Sequence, residues 1–402
     1  MVPILSDSTI PQVLGLYKVL LIPAQDYARH PHITRHHHIF ENFDERFKVT
    51  VLNVRLRSGP KRRETKHEII EVGVPTRNLM LSYILGYLAF HLKLASFVKS
   101  NRCDCIILSN IISPLVPVLA GGRPIVFDYK DVYSLSASVP FGTPVRQVVY
   151  WLTRFFEQIL FGFKMTIVVP SPSMQRVVRD RFNVKSLVIS NGVNTALFHP
   201  ISASARDKVR TELGVRQGEF CLCYLGSIEN WLDLESVVHA LVRLRPVRLI
   251  MIGGPPRSAA YLDDIMDLCD REGVRDRVTL TGFKIQSEAA KILAACDAAI
   301  IPFPTKRELS AVALPDKTFE YLASGIPVIS TRLPDVEKLF GNFLYFYNTA
   351  DELISILHRL HSSTRRKCSP FHQINCVKKY DWKCIAGSYC ALIVSLLTHE
   401  VN

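Results

Sequence analysis

Short apolar runs recur along this chain, each separated from the next by a longer stretch whose apolar positions fall at helical spacing. That alternation is the pattern of β-α units around a parallel sheet. A strand covered on both faces needs a continuous apolar run, and a crossover helix shows apolar residues on one side only. In the first half the runs fall at 17–23, 48–54, 105–109, 125–128, 166–170 and 186–189, with helical stretches near 33–43, 79–100, 142–163 and 172–182. A second series begins after Pro200. Its strands fall at 220–224, 248–252, 278–281, 298–302 and 327–330, and its helices near 233–243, 258–272, 287–295, 316–324 and 350–361. The polar segment 194–207 reads as the linker between them. At 402 residues the chain is long enough for two such α/β domains, which are expected to bind ligands at the carboxyl ends of their strands, facing a shared cleft.

Charge divides the chain as the strands do. Up to residue 195 there are 24 basic and 13 acidic side chains, a net +11, and the remaining 25 and 23 give +2. The first half is therefore suited to an anionic partner and the second is electrostatically plain. Asp7 breaks the first apolar stretch and no charged region precedes it, so no signal peptide is expected. The best candidate for a membrane span, 79–97, contains His91 and Lys93. Ten cysteines without a CxxC or a matching histidine spacing predict reduced, mostly buried thiols in a cytoplasmic protein rather than zinc ligands or a disulfide framework. The run Arg29, His30, His32, Arg35 and His36 to His38 suggests a metal, but consecutive histidines on a helix point different ways and no acid completes a set. No metal site is expected.

The most informative segment is 314–331, Leu-Pro-Asp-Lys-Thr-Phe-Glu-Tyr-Leu-Ala-Ser-Gly-Ile-Pro-Val-Ile-Ser-Thr. Pro315 can open a helix, where its missing N–H costs nothing, and Gly325 can close it. The helix start offers free N–H groups and a partial positive charge, which together suit a phosphate. Lys317 sits in the first turn, where a cation opposes the dipole unless an anion is bound there. Glu320, one turn on, can accept hydrogen bonds from vicinal sugar hydroxyls. A solvated surface helix would use the same residues.

This segment resembles the donor-binding signature of GT-B glycosyltransferases, specifically glycosyltransferase family 4 (group 1). Segments 168–174 and 188–200 are similar to that family's interdomain approach, 224–233 to the opening of its second domain, 277–283 to its base-binding strand, and 380–397 to its final helix. The resemblance is strong after residue 165 and weak before residue 100. It implies two doubly wound Rossmann-like domains facing a cleft. The first, 1–200, would bind the acceptor and the second, 201–378, the nucleotide-sugar, with a C-terminal helix at 379–402 crossing back to the first. It further implies that Glu320 holds the ribose hydroxyls, that Lys317 and the amides around Leu314 and Pro315 meet the diphosphate, and that Gly226 and Ser227 let the backbone approach it. Gly282 and Phe283 would border the base. Lys130 and Asp131 resemble the catalytic pair facing the acceptor, with His32 or Arg35 reaching it from the first helix. Two departures stand out. Val312 occupies the position of a second glutamate, with Glu308 the nearest acid, and 227–232 lacks the usual basic pair.

The resemblance implies transfer of a sugar from a nucleotide-sugar to a glycan or lipid-linked acceptor, with retention and with neither metal nor cofactor. The rival readings are a nucleotide-sugar epimerase and an inactive partner subunit on the same fold. A nucleic-acid partner is not expected, since the chain has no recognisable module. Two apolar stripes bear on location: Tyr83, Tyr87, Phe90 and Leu94, and a second of Trp151, Phe155, Phe156 and Phe161 among Arg146, Arg154 and Lys164. With the basic first half, they predict peripheral contact with the inner face of a membrane.

Overall fold

The computed structural model describes residues 16–399 except 31, 56–57, 60, 62–63, 74, 78, 112, 139–141, 143, 255–259, 306 and 363–367. The apolar start, with Asp7, lies outside the described residues, as do parts of the basic run 55–66.

Strands β1 (Tyr17–Ile22), β2 (Phe47–Val54), β3 (Glu68–Val72), β4 (Cys105–Leu108), β5 (Ile125–Asp128), β6 (Thr166–Val169) and β7 (Ser186–Val188) form one sheet in the order β3-β2-β1-β4-β5-β6-β7. Strands β8 (Phe220–Leu225), β9 (Val247–Ile252), β10 (Val278–Leu280), β11 (Ala298–Ile301), β12 (Val328–Thr331) and β13 (Leu344–Tyr347) form a second, ordered β10-β9-β8-β11-β12-β13. The pairs run parallel, with Val19 beside Cys105 in the first sheet and Ala298 beside Leu222 in the second. Central strands are buried along their whole length, as β4, β5, β9 and β11 show. This is the two-sheet α/β architecture expected from the alternation. In each sheet the strand order reverses once, between β1 and β4 and between β8 and β11, and such a switch point leaves a crevice at the strands' carboxyl ends.

The chain gathers into two compact units. One holds the chain through Tyr129, Phe155–Val168 and the end from Ala386, and the other holds Lys130–Arg154 and Val169–Ile385. In the first, Tyr389 of the last helix, Trp382–His399, packs its ring against Phe40.

Three local readings need correction. The segment 194–207 is not all linker, because Ser202 caps the helix Ala203–Glu212 by accepting a hydrogen bond from Ala205 N. That helix buries no side chain, so it has no apolar period to read, and it is held by Arg206 and Arg210 on Asp297. The edge strands β3 and β13 also escaped the apolar-run criterion; β3 carries Glu at both ends of Ile-Ile and is only half-buried. Finally, Phe90 and Leu94 of the helix Leu79–Lys99 face the core and Tyr87 is half-buried, so that stripe packs inward. The side chain of Tyr83 lies outside the described residues.

Candidate functional site

The second sheet's switch point is assembled from glycines first. β8 ends at Leu225, and Gly226 follows with φ +140°. Gly253, just after β9, has φ +139°, and a Cβ there would stand 2.1 Å from Gly226 O. Only glycine allows the two backbones to meet this closely. Gly226 N donates to Ile252 O (2.9 Å) and Gly253 N to Gly282 O (3.1 Å), so the turns after β8, β9 and β10 are tied together. Gly226 and Gly282, singled out from sequence, thus share a site through Gly253, which was not; its signal was the Gly-Gly pair closing an apolar strand. Phe283 beside it is exposed.

Under this floor lies the helix Asp316–Ala323, with Pro315 extended at its N-cap. Leu314 is buried, and its carbonyl accepts from Asn191 Nδ2 (3.2 Å), which fixes the approach to the helix start. Tyr321 from the same helix accepts Leu225 N (2.8 Å), so the helix is docked on the end of β8. Lys317 Nζ donates to Tyr224 Oη (2.9 Å), and Tyr224 Oη donates to Ser227 O (2.7 Å). The ammonium also stands 4.2 Å from the Tyr224 ring centroid and 5.6 Å from that of Phe303, which follows β11. A Cβ on Gly226 would lie 2.8 Å from Lys317 Nζ. The lysine is therefore threaded beneath the glycine turn, between the two strands that flank the switch point.

The electrostatics follow from this crowding. Burial disfavours the ammonium of Lys317 and lowers its pKa to about 8, although Glu320 and Asp316 pull the other way. Glu320 is pushed up to about 7, again by burial, with the negative charge of Asp316 adding to it. Lys317 and a hydrogen bond from Gln286, the first residue of the helix Gln286–Ala295, act against that rise. Both side chains keep some accessible surface, yet neither makes an ion pair among the described residues. Gln286 was not foreseen, since a glutamine opening a surface helix carries no sequence signal of its own. The site offers a cation, backbone amides and a hydrogen-bond acceptor in a row, which suits an anion joined to a polyhydroxylated group.

Val312 closes a single 3₁₀ turn, Ser310–Val312, and is half-buried, while Glu308 is exposed on the loop before it. Ser310 Oγ donates to Pro304 O (2.6 Å) and holds that loop.

In the first unit the helix Arg35–Phe40 follows β1. Arg35 is 5% exposed, and its guanidinium reaches Asp128 Oδ2 (3.3 Å) and Tyr389 Oη (3.2 Å). His36 Nε2 stands 3.0 Å from the same carboxylate oxygen. Burial alone would raise the pKa of Asp128, but Arg35, His36 and Tyr389 hold it well below the usual carboxylate range. His37 contacts Tyr27 O (2.8 Å) and the Thr34 hydroxyl (2.8 Å), stacks on Tyr27 and completes a capping box. His32 is half-buried, with its backbone against His30 Nδ1. The neighbouring histidines are thus engaged separately, and among the described residues no cluster of three metal-ligating side chains occurs. In the second unit, Lys130 and Asp131 are both half-buried. All ten cysteines are free.

The profile of the family described as Glycosyltransferase Family 4 matches residues 35–197, and that described as Glycosyl transferases group 1 matches 219–363. A D-inositol 3-phosphate glycosyltransferase of Mycobacterium marinum is 31% identical over 147 residues, 36% of this chain and 30% of that protein. The chain therefore spans under a third of that relative. A Bacillus subtilis glycosyltransferase, TuaH, named provisionally for teichuronic acid biosynthesis, is 26% identical over 288 residues, 68% of this chain and 67% of that protein. Among solved structures, Anabaena HepE in complex with UDP and glucose superposes with a TM-score of 0.71 at 18% identity, covering 94% of this chain and 100% of that one. That likeness establishes a common fold.

Proposed function

The chain carries, one after the other, the two halves of the family 4 and group 1 glycosyltransferases on a GT-B fold, and from that premise we propose that it transfers a hexose from a nucleotide-sugar to a glycan or lipid-linked acceptor. The observation that carries this reading is the placement of Lys317 beneath the Gly226 turn, with Glu320 one helical turn further on. The amides at the helix start and the ammonium would hold the diphosphate, and the Glu320 carboxylate, steadied by Gln286, would take the ribose hydroxyls. Gly282 and Phe283 would border the base. HepE is described with UDP and glucose, which supports a uracil nucleotide as the first donor to try.

Chemistry would then proceed by positioning and by stabilising the charge that develops on the leaving diphosphate, with retention at the anomeric carbon. The acceptor hydroxyl attacks the anomeric carbon as the bond to the β-phosphate oxygen breaks, and that oxygen can take the hydroxyl proton. Lys130 and Asp131 would face the acceptor. Arg35 already holds Asp128 and Tyr389, so in this reading it supports the acceptor side rather than reaching into it. No metal is called for, and turnover should be unaffected by a chelator.

The test is a calorimetric and thermal-shift comparison of UDP-, GDP- and dTDP-sugars, with Glu320→Ala beside the native chain. Binding of one nucleotide class that is lost in Glu320→Ala supports the donor site; no binding by well-folded protein overturns it. Val312 favours one alternative, a non-catalytic partner subunit. Donor binding without transfer to any lipid extract would identify it.

A further inference from the structure

We propose that the outward face of the helix Val145–Phe161 docks on an anionic lipid surface. Val145, Val148, Trp151, Leu152 and Phe155 are all exposed, Trp151 at 67%. Their spacing confines them to about 120° of the helix circumference. The opposite side is the packed one: Leu160 and Phe161 are buried, and buried Glu157 accepts a hydrogen bond from Tyr129 Oη (2.6 Å). An apolar ridge of this size facing water marks a surface that meets something.

Charge identifies the occupant. Glu157 is the helix's single acid and it is turned inward, while Arg146 and, just beyond the helix, Lys164 are exposed. The exposed charges at the two ends of this helix are both cations, so a second copy of it would offer them no acid to pair with. Anionic headgroups complement both cations and leave the ridge to enter the acyl boundary, with Trp151 at headgroup depth. Trp382 is buried and Trp231 partly buried, so Trp151 is the exposed tryptophan.

A separate observation points to the same partner. In the helix Leu79–Lys99, Leu81, Leu85, Leu88 and Leu92 follow one another at spacings of 4, 3 and 4 on the side opposite Phe90, Leu94 and Phe97, and all four are exposed. That spacing also suits a coiled-coil seam, but this helix contains no acid, and Lys93 and Lys99 are exposed on it. No described helix is long and apolar enough to cross a membrane, so each face would lie on the bilayer rather than span it. The contact itself stands apart from the transferase reading; its purpose, bringing the enzyme to a lipid-linked acceptor, rests on that reading.

Phosphatidylcholine vesicles with and without phosphatidylglycerol test this on the full chain, by co-sedimentation and by Trp151 emission. The expected results are selective binding to the anionic vesicles, a blue shift, and quenching by brominated lipid. Val148→Glu/Trp151→Glu should weaken binding at least tenfold, and Leu85→Glu/Leu88→Glu should weaken it independently. Both variants should keep the native unfolding temperature and nucleotide binding, which separates this result from the fate of the donor site. Failure of the native chain to bind, equal binding to both vesicles, undiminished binding by the variants, or a dimer dissolved by the same substitutions would each overturn the proposal.

Discussion

Asp128 and Glu320 are both carboxylates held in crowded surroundings, one in the first unit and one in the second, and their surroundings drive them in opposite directions. Asp128 is enclosed by Arg35, His36 and Tyr389, whose charges and hydrogen bonds outweigh desolvation and hold it ionised. Glu320 has Gln286 and a weakened Lys317, and desolvation wins. A charge whose partners come from its own chain holds the fold together. A charge left short of partners is held ready for a ligand that brings them, and it is tolerated because the surrounding fold is stable enough to bear the cost.

The largest expected effect breaks the ion-paired cluster around Asp128. Asp128→Ala leaves Arg35 and His36 buried without their acid and should cost about 3–5 kcal/mol of stability, read by urea unfolding. A loss under about 1 kcal/mol would mean that the cluster is solvated and the contrast fails.

Next, Glu320→Gln should act in the reverse sense on the free protein. It relieves a desolvated carboxyl and should stabilise the chain at pH 8 by about 1–3 kcal/mol, a range already reduced for the side chain's residual exposure. Donor binding should fall by about tenfold or more as one charge-assisted hydrogen bond is lost. A variant both less stable and unchanged in binding would reverse the assignment.

Gln286→Leu sharpens the comparison at lower cost. It removes about 1 kcal/mol of hydrogen bonding to the carboxylate, so donor affinity should drop several-fold and the ionisation of Glu320 should shift to higher pH. Restoration of both by Gln286→Asn would separate positioning from mere packing.

The last test reads the same two groups through the pH profile. Glu320 ionises near pH 7 in the folded chain and lower when unfolded, so its contribution to stability declines as pH rises from about 4.5 through 7. Lys317 loses its proton near pH 8 when folded but near its ordinary value when unfolded, so its contribution recovers between about 8 and 10.5. Donor affinity should weaken above pH 8 as the ammonium is lost, and Lys317→Met should flatten both the binding and the stability profiles there.

Much of this was legible in the chain. The apolar runs located most of the strands, because burial on both faces leaves a local record. The segment from Leu314 to Gly325 marked the helix start and its lysine, because proline, cap and glycine act on their immediate neighbours. The helix at 203–212 escaped, because its support is two arginines on distant Asp297 rather than an apolar stripe. The leucines at 81, 85, 88 and 92 were overlooked for a related reason. A helix apolar on both sides gives no sequence sign of which side the sheet will cover, and only packing assigned Phe90 and Leu94 to the core.

By itself, then, the sequence determined two parallel α/β sheets in tandem, a basic first half, and the residue types of a phosphate-binding helix start. Periodicity, capping and composition are local properties, carried by neighbours along the chain. The tertiary structure decided that Gly253 closes over Gly226, that Tyr224 and Phe303 cradle Lys317, that Gln286 reaches Glu320, and that Asp128 gathers Arg35, His36 and Tyr389. Those pairings join residues far apart in the chain. Charge, desolvation and close backbone approach act through space, so they take their values only once the sheets have brought the partners together.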